Sequence, residues 1–129
     1  MIPVLIFIWG IFSIDEKKLF KLVKDQNGRV VDHSRYLVNG QITVLDFYAT
    51  WCGPCKQMDP ILTKIAGEYR DVALRKVDIG NWGSYVSEKY AVSSVPNVRV
   101  FDKKGRLVGP PTSNPDKIVK YIETAQKRN

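Results

Sequence analysis

The sequence predicts an α/β domain built on a mixed central β-sheet. Two observations support this fold class: apolar, β-branched runs that alternate with segments of helical periodicity, and a turn late in the chain between two short strands. Alternating strands and helices are typical of parallel pairing, because a parallel crossover needs room for a helix. The late hairpin adds antiparallel strands, so we expect the sheet to be mixed.

The most strongly patterned segment is a strand followed by a long helix. Residues 42–48 are dense in β-branched and aromatic side chains, which predicts a strand buried on both faces. From Cys52 to about Tyr69, apolar residues recur at helical spacing. Pro60 lies inside this helix and is expected to kink it, because proline lacks the N–H of an internal helical bond.

Further elements are expected downstream. They are a strand over residues 72–78, a helix over 82–90, and a strand over 97–102 that turns through 103–105 into 106–108. Asn114 caps a last helix that begins at Pro115 and runs to about Gln126, because Asn accepts from free N–H groups and Pro suits the first helical position.

The stretch before the first long strand is ambiguous. Residues 15–31 fit either a short amphipathic helix or a strand that pairs with residues 29–31 across an Asn-Gly turn. Residues 33–39 look like a short helix that Gly40 ends as a carboxyl-terminal cap.

Residues 1–14 are predicted to be an apolar signal-like or anchor-like segment, distinct from a domain over residues 15–129. Residues 2–12 are almost wholly apolar, and the first charge is Asp15. A helix of that length spans about 16 Å, about half of a bilayer core. No basic residue precedes the run, unlike in a standard export signal. Three interpretations stay open: an export signal or amino-terminal anchor, an apolar extension packed on the domain, or a wrongly assigned start.

Composition limits the classes of function. The chain has 129 residues, of which 44% are hydrophobic, enough for one packed core. It carries 20 basic and 13 acidic residues, a formal net charge of +7. The basic residues are scattered, without the dense runs and interleaved aromatics of nucleic-acid-binding segments. We therefore expect no nucleic-acid partner.

The chain has two cysteines, Cys52 and Cys55, and one distant histidine, His33. A zinc site needs about four ligands, so no metal is expected, and no other cofactor is implied. A disulfide that closes so short a loop would stabilise the fold by only about 2 kcal/mol, against about 5 kcal/mol for a long loop. Redox chemistry is therefore the main interpretation of the pair.

The cysteine pair belongs to a wider pattern, which consists of Asp46, Trp51-Cys52-Gly53-Pro54-Cys55, Pro60, Val95-Pro96 and Gly105. Over residues 42–108, this pattern resembles the thioredoxin family. The resemblance implies the thioredoxin fold, a central mixed β-sheet flanked by helices on both faces. It also implies thiol–disulfide oxidoreductase activity, in a member that is exported or membrane-anchored if residues 1–14 are a signal or an anchor.

The two cysteines are expected to have different roles. Cys52 opens a helix, where unpaired N–H groups and the helix dipole stabilise a thiolate, so it is the predicted nucleophile. Cys55, about one turn further on, is the predicted resolving thiol. Gly53 and Pro54 shape and restrict the turn that brings the two sulfurs within bonding range.

Two charged residues join the catalytic set by resemblance. Asp46 lies in an otherwise apolar strand, so burial is expected to raise its pKa. The resemblance implies that Asp46 is the general base that helps deprotonate the resolving thiol, through a water in the family, and that Lys76 is its basic partner.

The resemblance also implies a client-binding rim. The Val95-Pro96 peptide is expected to be cis and to present the Val95 backbone to an extended client segment. Trp51, Pro54 and the turn at Gly109 are expected to complete the rim, beside Gly53.

The leading interpretation is a monomeric reductase of disulfides in client proteins, supplied by a thioredoxin-reductase-like or membrane electron donor. The Gly-Pro dipeptide between the cysteines resembles reducing members of the family. The alternatives are a periplasmic-type thiol oxidase or isomerase and a non-catalytic thioredoxin-fold binding module. Asn97 stands where thioredoxins usually have Thr, and Trp82 is unusual. With the apolar start, they favour an exported, periplasmic or membrane-anchored location over the cytoplasm.

Overall fold

The structure is a computed structural model that describes residues 22–24 and 30–128. The strands in this part of the chain are β1 Leu22–Lys24, β2 Val30–Asp32, β3 Ile42–Tyr48, β4 Val72–Asp78 and β5 Asn97–Phe101. The α-helices are α1 Gly53–Glu68, α2 Tyr85–Lys89 and α3 Pro115–Lys127. The apolar segment predicted for residues 1–14 lies outside the described residues.

Strand β3 is the centre of a three-stranded sheet with the order β4-β3-β5. It pairs parallel with β4 and antiparallel with β5, so the sheet is mixed, as predicted. Strands β1 and β2 form an antiparallel two-stranded sheet in which Val23 lies opposite Val31. For the described part of residues 15–31, the strand interpretation is therefore confirmed over the helical one.

Apolar clusters lie on the two faces of β3. Because side chains alternate along a strand, Leu45 and Phe47 enter one cluster while Ile42 and Val44 enter the other. The first cluster contains both cysteines and Tyr90, which caps α2. The second is completed from α1 and α3, by Met58, Leu62, Ile65, Ile118, Ile122 and Ala125. The sheet is therefore flanked by helices on both faces, as expected.

The helix predicted over residues 33–39 is wrong. The chain makes only a 3-10 turn over Ser34–Tyr36, and the N–H of Val38 donates to the Thr43 hydroxyl at 3.0 Å instead of to a helical carbonyl. This side-chain bond competes with helix formation and turns the chain toward β3. Gly40 has a φ of +76°, but it follows a turn rather than a helix.

Two later predictions also need correction at their boundaries. Helix α2 begins at Tyr85 rather than at residue 82, because Ser84 caps it by accepting from the N–H of Ser87 at 3.1 Å. Residues 106–108 form a single bridge, Leu107 to Phe101, rather than a strand. The two prolines at 110 and 111 follow at once and lack the N–H groups that a longer ladder needs.

The ends of the two long helices agree with the sequence. Helix α1 runs past Pro60 to Glu68, and the kink expected there stays a prediction. The side chain of Asn114 accepts from the N–H of Asp116 at 2.9 Å and caps α3, as predicted. In the part of the chain that the structure describes, we found no helix long and apolar enough to cross a membrane.

Replacing Asn114 by Ala should lower the free energy of unfolding by about 1 kcal/mol, because the N–H of Asp116 then loses its partner. Urea unfolding followed by circular dichroism measures the change. Asn114→Ser, which keeps a capping oxygen, is the control and should retain most of the stability. Equal losses in the two variants would contradict the capping role.

Candidate active site

Cys52 lies at the amino end of α1 as its capping residue, with extended backbone angles. Its sulfur accepts the backbone N–H of Cys55 at 3.1 Å. The two cysteines form a disulfide, with their Cα atoms 5.3 Å apart. Gly53 and Pro54 fill the first turn between them and are exposed. The position predicted for the nucleophile is therefore the position that free helical N–H groups and the helix dipole favour for negative charge.

Asp46 lies in the centre of β3 and is 1% exposed. Its Oδ1 atom has no hydrogen-bond partner among the described residues. Burial raises the pKa of this carboxyl to about 6, against an opposing effect of the Lys76 ammonium and a smaller contribution from the Asp59 carboxylate. A carboxyl with a pKa near neutrality can take up and release a proton under working conditions, as a general base must.

Lys76 lies opposite Asp46 in the parallel β3–β4 pair. Its ammonium, however, forms an ion pair with Asp59 of α1 and lies 4.6 Å from the centre of the Tyr48 ring. Lys76 therefore acts on Asp46 only by a through-space charge interaction, and its direct ion-pair partner is Asp59. Asp59 was not among the residues predicted from the sequence. Its spacing of four residues from Cys55 could have indicated it, because this spacing puts both side chains on the same side of α1.

A pocket of about 300 Å³ opens beside Cys55. It is lined by Tyr48, Ala49, Thr50, Cys55, Lys56, Asp59 and Lys76. The structure therefore brings the Cys55 side of the disulfide and the Asp59–Lys76 pair to one cavity.

The Val95-Pro96 peptide is cis, as predicted. Val95 packs against the apolar cluster that contains both cysteines. Pro96 also lines a second pocket, of about 270 Å³, together with Ser94, Asn97, Pro111, Thr112 and Ser113.

Asn97 belongs to a buried polar network. Its side-chain oxygen accepts from Nε of Arg99 at 3.0 Å, and Nη1 of Arg99 lies 2.7 Å from Nε2 of His33. The guanidinium also stacks 4.8 Å from the centre of the Phe47 ring. The unusual residue after Pro96 is therefore explained by a hydrogen bond to an arginine two positions further along the same face of β5.

Trp51 is half-exposed beside Cys52. Its Nε1 donates to the carbonyl of Gly80 at 2.7 Å, and its ring meets the half-exposed Trp82 edge-on, with centroids 5.7 Å apart. Sequence reasoning noted Trp82 without assigning it to the site. The structure makes it the second half of an aromatic surface, which we call the Trp51–Trp82 pair.

Gly109 has a clear packing constraint. Its φ is +75°, and a Cβ built there would lie within 3 Å of the Tyr121 ring on α3. The glycine is therefore needed for the approach of this turn to α3, and its place in a client-binding rim stays a prediction.

No group of three or more His, Cys, Asp and Glu side chains that could hold a metal ion occurs within residues 22–24 and 30–128.

Similar proteins support the family resemblance on which the site residues were predicted. Residues 21–124 match the family model for thioredoxin. The chain belongs to the thioredoxin family. Thioredoxin H2-1 of Oryza sativa subsp. japonica is 37% identical over 87 residues, which cover 65% of this chain and 60% of that protein. The chain therefore spans less than two thirds of this relative's length.

Two further thioredoxins are matched over more of their own length. The thioredoxin of Chlamydia trachomatis serovar D is 38% identical over 87 residues, 66% of this chain and 83% of that protein. The oxidised crystal structure of mitochondrial thioredoxin 3 from Saccharomyces cerevisiae is similar with a TM-score of 0.55 and 30% identity, over 87% of this chain and 89% of that one. The family and the Cys52–Cys55 pair support the predicted thiol–disulfide oxidoreductase that works by dithiol exchange.

The buried Asp46 should give the chain a pH-dependent stability. Because its pKa is about 6 in the folded chain and 3.8 as a free side chain, the folded state binds the proton more tightly. Protonation therefore stabilises the fold fully below pH 4, and this contribution is lost as the pH rises through 6. The free energy of unfolding of Asp46→Asn, measured relative to that of wild type, should therefore increase by about 2 to 3 kcal/mol from pH 4 to pH 8.

Urea unfolding of the oxidised protein at the two pH values measures this gain. Glu123→Gln, which neutralises an exposed carboxylate on α3, is the control and should change little. A stability difference between Asp46→Asn and wild type that stays constant with pH would contradict the raised pKa.

Proposed function

We propose that this chain reduces disulfides in client proteins by dithiol exchange through Cys52 and Cys55. The observation that carries the proposal is the Cys52 sulfur, which caps α1, accepts the N–H of Cys55 and is bonded to its partner sulfur. A sulfur at a helix start is stabilised as the thiolate, which is the attacking species in disulfide exchange.

The reaction proceeds through a mixed disulfide. The Cys52 thiolate attacks one sulfur of a client disulfide; that bond breaks, and the second client sulfur leaves with the electron pair and takes up a proton. The Cys55 thiol then gives up its proton and attacks the Cys52 sulfur. The bond to the client breaks, the client thiolate leaves and is protonated, and two electrons have passed to the client.

Asp46 is proposed as the general base for the second step. Its carboxyl is buried, lacks a hydrogen bond at Oδ1 among the described residues and has a pKa of about 6, so it is largely ionised at neutral pH and still basic. It shares a face of β3 with Tyr48, which lines the Cys55 pocket. Lys76 is proposed to influence Asp46 through space.

The client segment is proposed to lie across the exposed residues around the disulfide. Trp51, Gly53 and Pro54 are exposed next to the buried cysteines. Val95, which precedes Pro96 in the cis peptide, packs against the cluster that contains these cysteines. The backbone groups of Val95 would bind an extended segment in the manner of an added strand.

The reducing direction is supported by the Gly-Pro dipeptide between the cysteines and by relatives that are named thioredoxins. We propose a thioredoxin-reductase-like protein or a membrane component as the electron donor. A location outside the cytoplasm, with anchoring by residues 1–14, rests on the apolar composition of that segment. Fractionation of cells that make the full chain tests the location.

Serine variants test the exchange mechanism. Cys55→Ser should accumulate a mixed disulfide between Cys52 and a model client such as insulin, because the resolving thiol is gone. Cys52→Ser should form no such adduct and should lose turnover, since Cys52, the capping residue at the start of α1, is the proposed nucleophile. Non-reducing gels and mass spectrometry detect the adduct. Insulin reduction by Cys52→Ser at the wild-type rate would overturn the proposal.

The Trp51–Trp82 pair should contribute to client affinity. Trp82→Ala removes the edge contact and half of the aromatic surface, so KM for a protein disulfide should rise about two- to tenfold. The rate with a small aromatic disulfide should stay unchanged. Tyr85→Ala, which removes a more exposed aromatic side chain on α2, is the control. Equal effects of the two substitutions would contradict a specific role for Trp82.

A further inference from the structure

The ion pair between Asp59 and Lys76 has a place in the dithiol chemistry. Lys76 lies opposite Asp46 in the β3–β4 register, yet its ammonium is bound by Asp59 at the pocket that Cys55 lines. We propose that Asp59 is a positioning residue: it holds the Lys76 ammonium at this pocket, away from Asp46, and so sets the pH at which Asp46 can take the Cys55 proton. The inference rests on the proposed function.

The helix geometry supports this placement. Asp59 follows Cys55 by four residues, so the two side chains lie on one side of α1, about one turn apart. Met58 and Leu62 bury the adjacent side of α1 in the core, which fixes the rotation of the helix. Asp59 is consequently held at the pocket by the same packing that positions the resolving cysteine. The side chains of Lys76 and Asp59 are 34% and 47% exposed, so their ion pair adds little stability.

Few charged groups act on Asp46 from the elements around it. Strand β4 contributes Lys76, and α1 contributes Asp59. Lys56 of α1 lines the neighbouring pocket together with Cys55. On β5, the residue opposite Asp46 is the apolar Val98. The buried residues of α3 are also apolar: Ile118, Ile122 and Ala125. After burial, the charges of Lys76 and Asp59 are therefore the two influences on this carboxyl that a substitution can change.

The direction of the effect follows from the two charges. Burial raises the pKa of Asp46 to about 6, Lys76 opposes this rise, and Asp59 adds to it. Without the Asp59 carboxylate, the repulsion disappears and the Lys76 ammonium is free to turn toward Asp46. Both changes favour the ionised Asp46 and make it a weaker base for the Cys55 proton. Asp59 thus keeps the pH at which Asp46 loses its proton close to the working pH.

The test is the titration of the Asp46 carboxyl in the full oxidised chain, in which neither cysteine titrates. Carbon-13 NMR of a labelled carboxyl follows this group directly. Asp59→Asn should lower the midpoint by about half a pH unit, and Lys76→Gln should raise it. Glu68→Gln removes an exposed carboxylate from the far end of the same helix and should move the midpoint by less than about 0.1 unit.

A double variant separates positioning from simple repulsion. If Asp59 acts mainly by holding Lys76, the shift caused by Asp59→Asn should fall to less than half its size in the Lys76→Gln background. An equal shift in both backgrounds would overturn the positioning role, and so would coincident midpoints for Asp59→Asn and Glu68→Gln.

The pH profile of the second chemical step gives the functional measurement. The measured quantity is the rate at which a client is released from the Cys52 mixed disulfide in a single turnover. For Asp59→Asn, the acidic limb of this pH–rate profile should shift to lower pH by the same half unit. An unmoved limb would overturn the inference. Failure of wild-type protein to reduce insulin would overturn the proposed reductase instead, and the NMR shifts would still report the coupling of Asp59, Lys76 and Asp46.

Discussion

Strand β3 is buried on both faces, and the rest of the structure depends on that burial. Each face packs into its own apolar cluster. One cluster contains the disulfide, and the other contains residues of α1 and α3. The strand ends at Tyr48, four residues before the capping Cys52, so its position fixes where α1 begins. The reactive sulfur is therefore located by core packing, which is more rigid than a loop alone would be.

The same burial underlies the chemistry proposed for Asp46. A carboxyl in the middle of this strand cannot be solvated, so its pKa moves toward neutrality, where it can exchange a proton with a thiol. The Lys76 ammonium on the neighbouring strand stabilises the ionised form of Asp46, and the Asp59 carboxylate on α1 opposes this stabilisation. Stability and reactivity are opposed at this position, since the ionised base is the form that the core disfavours.

Much of this arrangement could be predicted from the sequence. The buried run at 42–48, the helix start at Cys52 and the cap at Asn114 follow from local patterns, and the cis peptide before Pro96 followed from the family resemblance. The spacing of Asp59 from Cys55 indicates its side of α1, but its pairing with Lys76 does not follow from a local pattern, because the two residues are distant in sequence and lie on different elements. The Trp51–Trp82 contact depends likewise on the path of the chain around Gly80 and Gly83, both at positive φ. The helix expected at 33–39 failed because Thr43, outside the segment, competes for its backbone N–H.

The central claim is that this dithiol donates electrons to client disulfides, and the equilibrium reduction potential of the Cys52–Cys55 pair tests it most directly. The full chain is equilibrated with a series of glutathione redox buffers, and the oxidised fraction is measured by thiol alkylation and mass spectrometry. The account predicts a potential near the value of about −270 mV that is typical of thioredoxin. A potential between about −180 and −120 mV, the range of disulfide isomerases and thiol oxidases, would contradict it.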